Sequence, residues 1–168
     1  MHVRNFTPRC RVERGRITVK PQFAALGLAL AAAFSAAAAE PAAEDAVALV
    51  EQGAIFLRAQ GKAELIRRIN ARDPLFYRGA LYLHMRDART GVMLAHPVHP
   101  SLIGQNLTDV PDAGGRMYRR DILALAATRG KGWVDYMYKN PADGHAVPWS
   151  NYITRVGDVV LESGIRRK

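Results

Sequence analysis

The run Leu81-Tyr82-Leu83-His84-Met85-Arg86 alternates apolar and polar side chains. In an extended chain a phenol, an imidazole and a guanidinium share one face, and two leucines and a methionine share the other. Such a polar face carries the hydrogen-bonding groups of an anion-binding pocket. The competing reading is a solvated face above an apolar core, and it applies most directly to Arg86, beside the turn Asp87 to Gly91. Tyr82 and His84 lie deeper in the run. A second short run, Val92 to His96, places Leu94 and His96 on one face. The His96 imidazole can bond a ligand oxygen near neutral pH or tie down the proline-rich loop that follows. His96 and His99 form a His-x-x-His pair. Pro97 and Pro100 exclude a regular helix there, and no cysteine or nearby carboxylate pair completes a coordination shell, so no metal or other cofactor is expected.

Tyr136 and Tyr138 alternate along Trp133 to Lys139, and Trp149 opens a further run that contains Tyr152. Tyr136 and Tyr152 on neighbouring strands have the character of walls for a mostly apolar cavity with a few polar groups. They also suit core aromatics with satisfied hydroxyls. Arg116 and Arg120, four apart at the start of a helix, are placed to meet a ligand carboxylate together, although exposed arginine is commoner on helices. The candidate ligand-binding set is therefore Tyr82, His84, His96, Arg116, Tyr136, Trp149 and Tyr152. Catalysis finds no such support. Most aspartates fall at turns, where they cap the backbone, and no nucleophile elbow, phosphate loop or zinc motif is present.

The elements that must position these residues follow from periodicity. From Pro41 to about Arg72, Val47, Val50, Ala54, Leu57, Leu65, Ile66 and Ile69 recur mostly at spacings of three or four. This predicts a long amphipathic helix, with Pro41 in its first turn, a bend near Gly61 and a stop at Asp73-Pro74. Gly79 to Arg86 reads as a strand and Val92 to His96 as its hairpin partner, ended by Pro97 and Pro100. A polar loop with Gly104, Asn106 and Asp109 leads to a second helix, about Met117 to Thr128, terminated by Gly130 and Gly132. Trp133 to Lys139, Trp149 to Val156 and Val159 to Ile165 form a three-strand meander. The fold class is α+β: a long N-terminal helix and a five-stranded antiparallel sheet with one further helix.

The chain of 168 residues has room for one domain of ordinary size, and its formal charge is +9. Six bases (Arg4, Arg9, Arg11, Arg14, Arg16, Lys20) and one acid (Glu13) precede Phe23, so +5 of that charge sits in the first stretch. Elsewhere the basic residues are scattered, apart from Arg166, Arg167 and Lys168, and a nucleic-acid partner is not expected. Phe23 to Ala36 is uncharged and apolar, and small residues follow it. That pattern reads as a secretory signal peptide. The expected organisation is a cleaved leader over residues 1–39, an N-terminal helix over 40–74 and an α+β domain over 75–168. The mature protein would be periplasmic, with no stable membrane span. The single cysteine, Cys10, belongs to the leader, so no disulfide forms within the chain.

Leu75 to Asp87 (LFYRGALYLHMRD), Gly91 to Leu107 (GVMLAHPVHPSLIGQNL), Asp112 to Gly115, Gly130 to Pro141 (GKGWVDYMYKNP) and Asn151 to Ile165 (NYITRVGDVVLESGI) occur in a particular order. This ordered set resembles the type 2 single Cache domain of bacterial extracytoplasmic sensors. The resemblance implies a PAS-like fold with a pocket on one sheet face for a small organic ligand, often a short carboxylate. The expected partner that reads the occupied form is a membrane sensor or transporter. Two departures matter. The family usually has a lysine three residues before the tyrosine of the fourth strand, where this chain has Trp149. Without that ammonium the ligand should depend less on a carboxylate, and an indole favours a larger, flatter one. In receptors the module precedes a membrane helix and an output domain, whereas this sequence ends at Lys168. The expectation is thus an exported small-molecule-binding module for signal transduction, without an output domain of its own. The alternative is a scaffold protein that uses the fold without a ligand and pairs through its long helix.

Overall fold

The computed structural model describes residues 40–140 and 143–167, and the expected leader lies outside them. The amphipathic stretch forms two helices, α1 (Ala43–Gln60) and α2 (Lys62–Asn70), joined at Gly61. Gly61 adopts φ +83°, a left-handed conformation that a side chain disfavours, and its N–H closes α1 on the Leu57 carbonyl. Pro41 stands outside the first turn rather than in it. Ala42 is the N-cap, its N–H donating to Asp45 Oδ2 at 2.9 Å. The stripe Ala46, Leu49, Val50, Ala54, Leu57, Leu65 and Ile69 is buried against the sheet. Each large member contributes about 1.5–3 kcal/mol by leaving water. Gly53 belongs to the same contact, since a Cβ there would overlap Leu83.

The expected strand Gly79 to Arg86 is divided. Gly79 takes φ +68° and turns the chain, so β1 (Tyr77–Arg78) and β2 (Leu81–Tyr82) pair in a small hairpin of their own. Only β3 (His84–Asp87) enters the main sheet, where it pairs with β4 (Met93–Ala95). After a short 3-10 turn at Pro100–Leu102 and a loop, α3 (Tyr118–Thr128) follows. The meander is β5 (Lys131–Lys139), β6 (Ala146–Val156) and β7 (Val159–Arg166). All pairs are antiparallel and the five-stranded order is β4-β3-β7-β6-β5, so the hairpin and the meander join through β3 and β7.

The sheet separates two apolar clusters. Leu83, Met85, Ala95, Tyr152, Val159 and Leu161 meet α1 and α2 on one side. On the other, Val134, Ile153 and Val160 meet Tyr118, Ile122 and Ala126 of α3. Among the described residues, no helix is long and apolar enough to cross a membrane.

Candidate functional site

Register decides which side chains share the face away from α1. Tyr136 pairs with Trp149, Val134 with Asn151, Asn151 with Gly164 and His84 with Glu162. Partners across a ladder point to the same side, and alternation adds Arg86 and Tyr138. One irregularity completes the set. Met85 pairs with Ala95 but Arg86 with Met93, so Leu94 is a bulge residue. The bulge places Met93 beside His96 on this face, while Leu94 packs toward the α1 cluster. Strict alternation would have grouped Leu94 with His96.

Of these residues His84, Arg86, Met93, His96, Tyr136, Tyr138, Trp149, Asn151 and Gly164 line a cavity of about 110 Å³, together with Tyr82 of β2, His99, Leu102, Gln105 and Leu107 from the β4–α3 connection and Tyr118 and Arg119 from α3. A Cβ at Gly164 would collide with Trp149 Nε1 and Asn151 Oδ1, so the glycine lets the indole lie close to β7. Trp149 is tilted against Tyr138, with ring centroids 5.5 Å apart, and stands in the wall without filling the space.

The polar groups form two sets. In the first, Arg86 grips Glu162 through both nitrogens of its fork, Nε to Oε1 and Nη2 to Oε2, the latter at 3.1 Å. Asn151 Nδ2 donates to Glu162 Oε2 at 3.2 Å, and the Tyr136 hydroxyl donates to Asn151 Oδ1 at 3.4 Å. His84 Nε2 stands 3.3 Å from the same carboxylate. Glu162 is fully buried, which opposes its ionisation, yet the Arg86 guanidinium, with His84 beside it, prevails and holds its carboxyl below the usual range. His84 Nδ1 is a buried nitrogen with no hydrogen-bond partner.

In the second set, His96 Nδ1 accepts the backbone N–H groups of Val98 and His99 at 3.2 and 3.0 Å. Burial, reinforced by the neighbouring His84 and His99, lowers its pKa to about 3. The ring is therefore neutral at pH 7, and because Nδ1 is the acceptor its proton resides on Nε2. The Tyr82, His84, His96 and His99 rings lie in a chain with neighbouring centroids 5.1–6.0 Å apart. Burial also pushes the Tyr82 hydroxyl up to about 12 and that of Tyr136 well above 10, so both remain protonated donors. The arrangement suits recognition by hydrogen bonds within apolar walls. Among the described residues, no group of three or more histidine, cysteine or acidic side chains is placed to hold a metal ion.

Tyr82, His84, His96, Tyr136 and Trp149 thus meet in one cavity, and two expected members do not. Tyr152 pairs with Trp133, and its ring lies 5.2 Å from that indole on the α1 side of the sheet. Arg116 is exposed and its guanidinium bonds Asp121, so it does not line the cavity. Arg86, with solvation as its competing reading, is 2% exposed. Glu162 and Asn151 stand on the same face, and Tyr118 lines the cavity from α3, without belonging to the expected set. The signal for Glu162 was present, since a carboxylate inside the apolar run Val159-Val160-Leu161 requires a buried partner.

A helix-backed antiparallel sheet with a polar cavity on its opposite face is the architecture of PAS-like sensor domains. The chain belongs to the family Single Cache domain 2, whose model matches residues 44–158. Among solved structures, a periplasmic sensor domain of a chemotaxis protein is 31% identical, with a TM-score of 0.55 over 74% of this chain and 90% of that one. A methyl-accepting chemotaxis protein from Vibrio parahaemolyticus is 19% identical, with a TM-score of 0.59 over 73% and 86%. A Cache chemosensory domain described for its carboxylic acid recognition is 22% identical, with a TM-score of 0.57 over 74% and 88%. No curated protein matches the chain significantly.

Proposed function

We infer that this protein is an exported sensor module that binds one small organic molecule, such as a short carboxylate, in the cavity between the sheet and the β4–α3 connection. The observation that carries this reading is the cavity itself: about 110 Å³, walled by Tyr82, His84, His96, Tyr136 and Trp149. Its size favours a smaller ligand over the larger, flatter one that the Trp149 indole suggests. An apolar cavity of about 150 Å³ holds benzene, so this one suits a molecule of a few non-hydrogen atoms. The carboxylic acid recognition described for a Cache relative is consistent with a short acid, although that likeness establishes only the fold. The Tyr82 hydroxyl and the His96 Nε2–H supply neutral donors for its oxygens.

Signalling would follow from a difference in ligand affinity between two conformations of the domain, with a membrane sensor or transporter reading the occupied one. The test is a thermal-shift screen of the purified protein against short organic acids, amines and amino acids. Stabilisation that saturates with a small acid is the expected result, and no response to any of them removes the reading. Export is checked separately by the intact mass of protein recovered from the periplasm, which should begin within a few residues of Ala39.

A further inference from the structure

We propose that His84 is a specificity-determining residue of the cavity, its Nδ1 accepting a hydrogen bond from a ligand hydroxyl, so that a small hydroxy acid is preferred over the same acid without the hydroxyl. The inference deepens the reading of the cavity as a small-acid site and rests on it. His84 opens β3 and its ring lines the cavity. Its two nitrogens have unlike surroundings. Nε2 stands 3.3 Å from the Glu162 carboxylate, which Arg86 already grips through both nitrogens of its fork. An ionised carboxylate only accepts, so the imidazole hydrogen lies on Nε2. Arg86 neutralises Glu162, and one N–H from the ring completes the contacts of the carboxylate. The neutral ring then carries its lone pair on Nδ1.

That nitrogen is buried and no group of the described residues donates to it. The aromatic neighbours, Tyr82 and His96, meet His84 ring to ring, with centroids 6.0 and 5.2 Å away. Three hydroxyls share the condition of Nδ1, those of Thr108, Thr154 and Ser163, and none of these residues lines the cavity. Buried polar atoms are nearly always bonded, so an acceptor left alone in the cavity wall calls for a donor that enters with the ligand. The His96 ring supplies the complement. Its Nε2–H is a donor, because its Nδ1 accepts the Val98 and His99 N–H groups. Adjacent rings therefore offer an acceptor and a donor, which suits a hydroxyl, since that group gives one hydrogen and accepts another. A carbonyl only accepts, and a methylene does neither.

Lactate, propionate and pyruvate are close in size and carry a hydroxyl, a methylene and a carbonyl at the same carbon. Titration calorimetry of protein produced from the full-length chain should show lactate, in the better of its two enantiomers, bound about three- to tenfold more tightly than either of the others, the usual net effect of one neutral hydrogen bond. His84→Gln, whose amide still reaches toward Glu162 but leaves nothing at the Nδ1 position, should bring the three acids to equal affinity. His84→Asn, whose side-chain oxygen falls close to the Nδ1 position, should retain part of the preference. Imidazole-nitrogen NMR of labelled native protein gives an independent readout: His84 should be protonated at Nε2 alone, and lactate, unlike propionate, should shift its Nδ1 resonance. Equal binding of lactate and propionate by the native protein, a proton on Nδ1, or a preference for lactate unchanged in His84→Gln would overturn the assignment while leaving the pocket reading intact. If none of the three acids binds, the assignment falls, and the pocket reading falls with it only when the wider screen of acids, amines and amino acids is also silent.

Discussion

Arg86 on β3 and Glu162 on β7 lie diagonally across one strand pair and form a two-pronged ion pair, with side chains only 3% and 0% exposed. The register partner of Glu162 is His84 and that of Arg86 is Val160, so the pair crosses the ladder by one step on the cavity face. A buried carboxylate in strong contact with a guanidinium fixes which way both strands present their polar residues, and hence the position of His84 beside them.

Breaking this pair should therefore be costly. Glu162→Gln leaves the Arg86 charge buried without its counter-ion, and the expected loss is about 3–5 kcal/mol. Chemical denaturation of native and variant protein measures it. Replacing both residues together with apolar ones of similar volume should cost less than the single change. A single variant within about 0.5 kcal/mol of native would show that the pair contributes little.

Acid should destabilise the protein through two groups whose folded pKa values are depressed. His96 falls from its ordinary 6.5 to about 3, so its share of stability is complete above 6.5 and is lost progressively as pH falls toward 3. Glu162, lowered from 4.5 to about 2, loses its share over the lower range between those values. Between pH 6 and 4 the His96 effect approaches about 1.4 kcal/mol per unit at most. His96→Asn, whose amide oxygen can still accept the Val98 and His99 N–H groups, should flatten that part of the stability–pH curve. An unchanged slope would assign the acid sensitivity elsewhere.

Gly164 adopts no left-handed backbone, so its importance lies in space alone. Gly164→Ala sets a methyl against Trp149 and Asn151, and must displace the indole or the amide that bonds Glu162. Overpacking of this kind typically costs about 1–3 kcal/mol. Weaker ligand binding should accompany the loss of stability. Trp149 fluorescence, read against Trp133 as the other tryptophan, should change with it.

Local pattern carried much of this molecule. Alternation placed His84 and Arg86 together, and likewise Tyr136 and Tyr138, because side-chain direction along one strand depends on that strand alone. The position of Gly61 marked the break between the two helices for a similar reason. Tyr152 was misplaced because the face of β6 that joins the Tyr136 face depends on the pairing of Tyr136 with Trp149, which the turn between β5 and β6 sets. The bulge at Leu94 reversed the parity of β4 without any proline or glycine within the strand to announce it. Arg86 is buried because of a carboxylate 76 positions away. Arg119 outranks Arg116 at the cavity because of how α3 is docked on the sheet. These are long-range facts, and residue types at short spacing do not encode them.

The central claim, that the face formed by His84, His96, Tyr136 and Trp149 holds one small ligand, is tested most directly by filling the cavity. Leu107→Trp adds bulk to the lining from the β4–α3 connection, on a residue outside both apolar clusters. Titration calorimetry of the native protein with the tightest of acetate, propionate and lactate should give one saturable site per chain. The variant should lose that binding while its thermal unfolding remains cooperative. Native-like binding by a folded Leu107→Trp protein would place the ligand elsewhere and contradict the account.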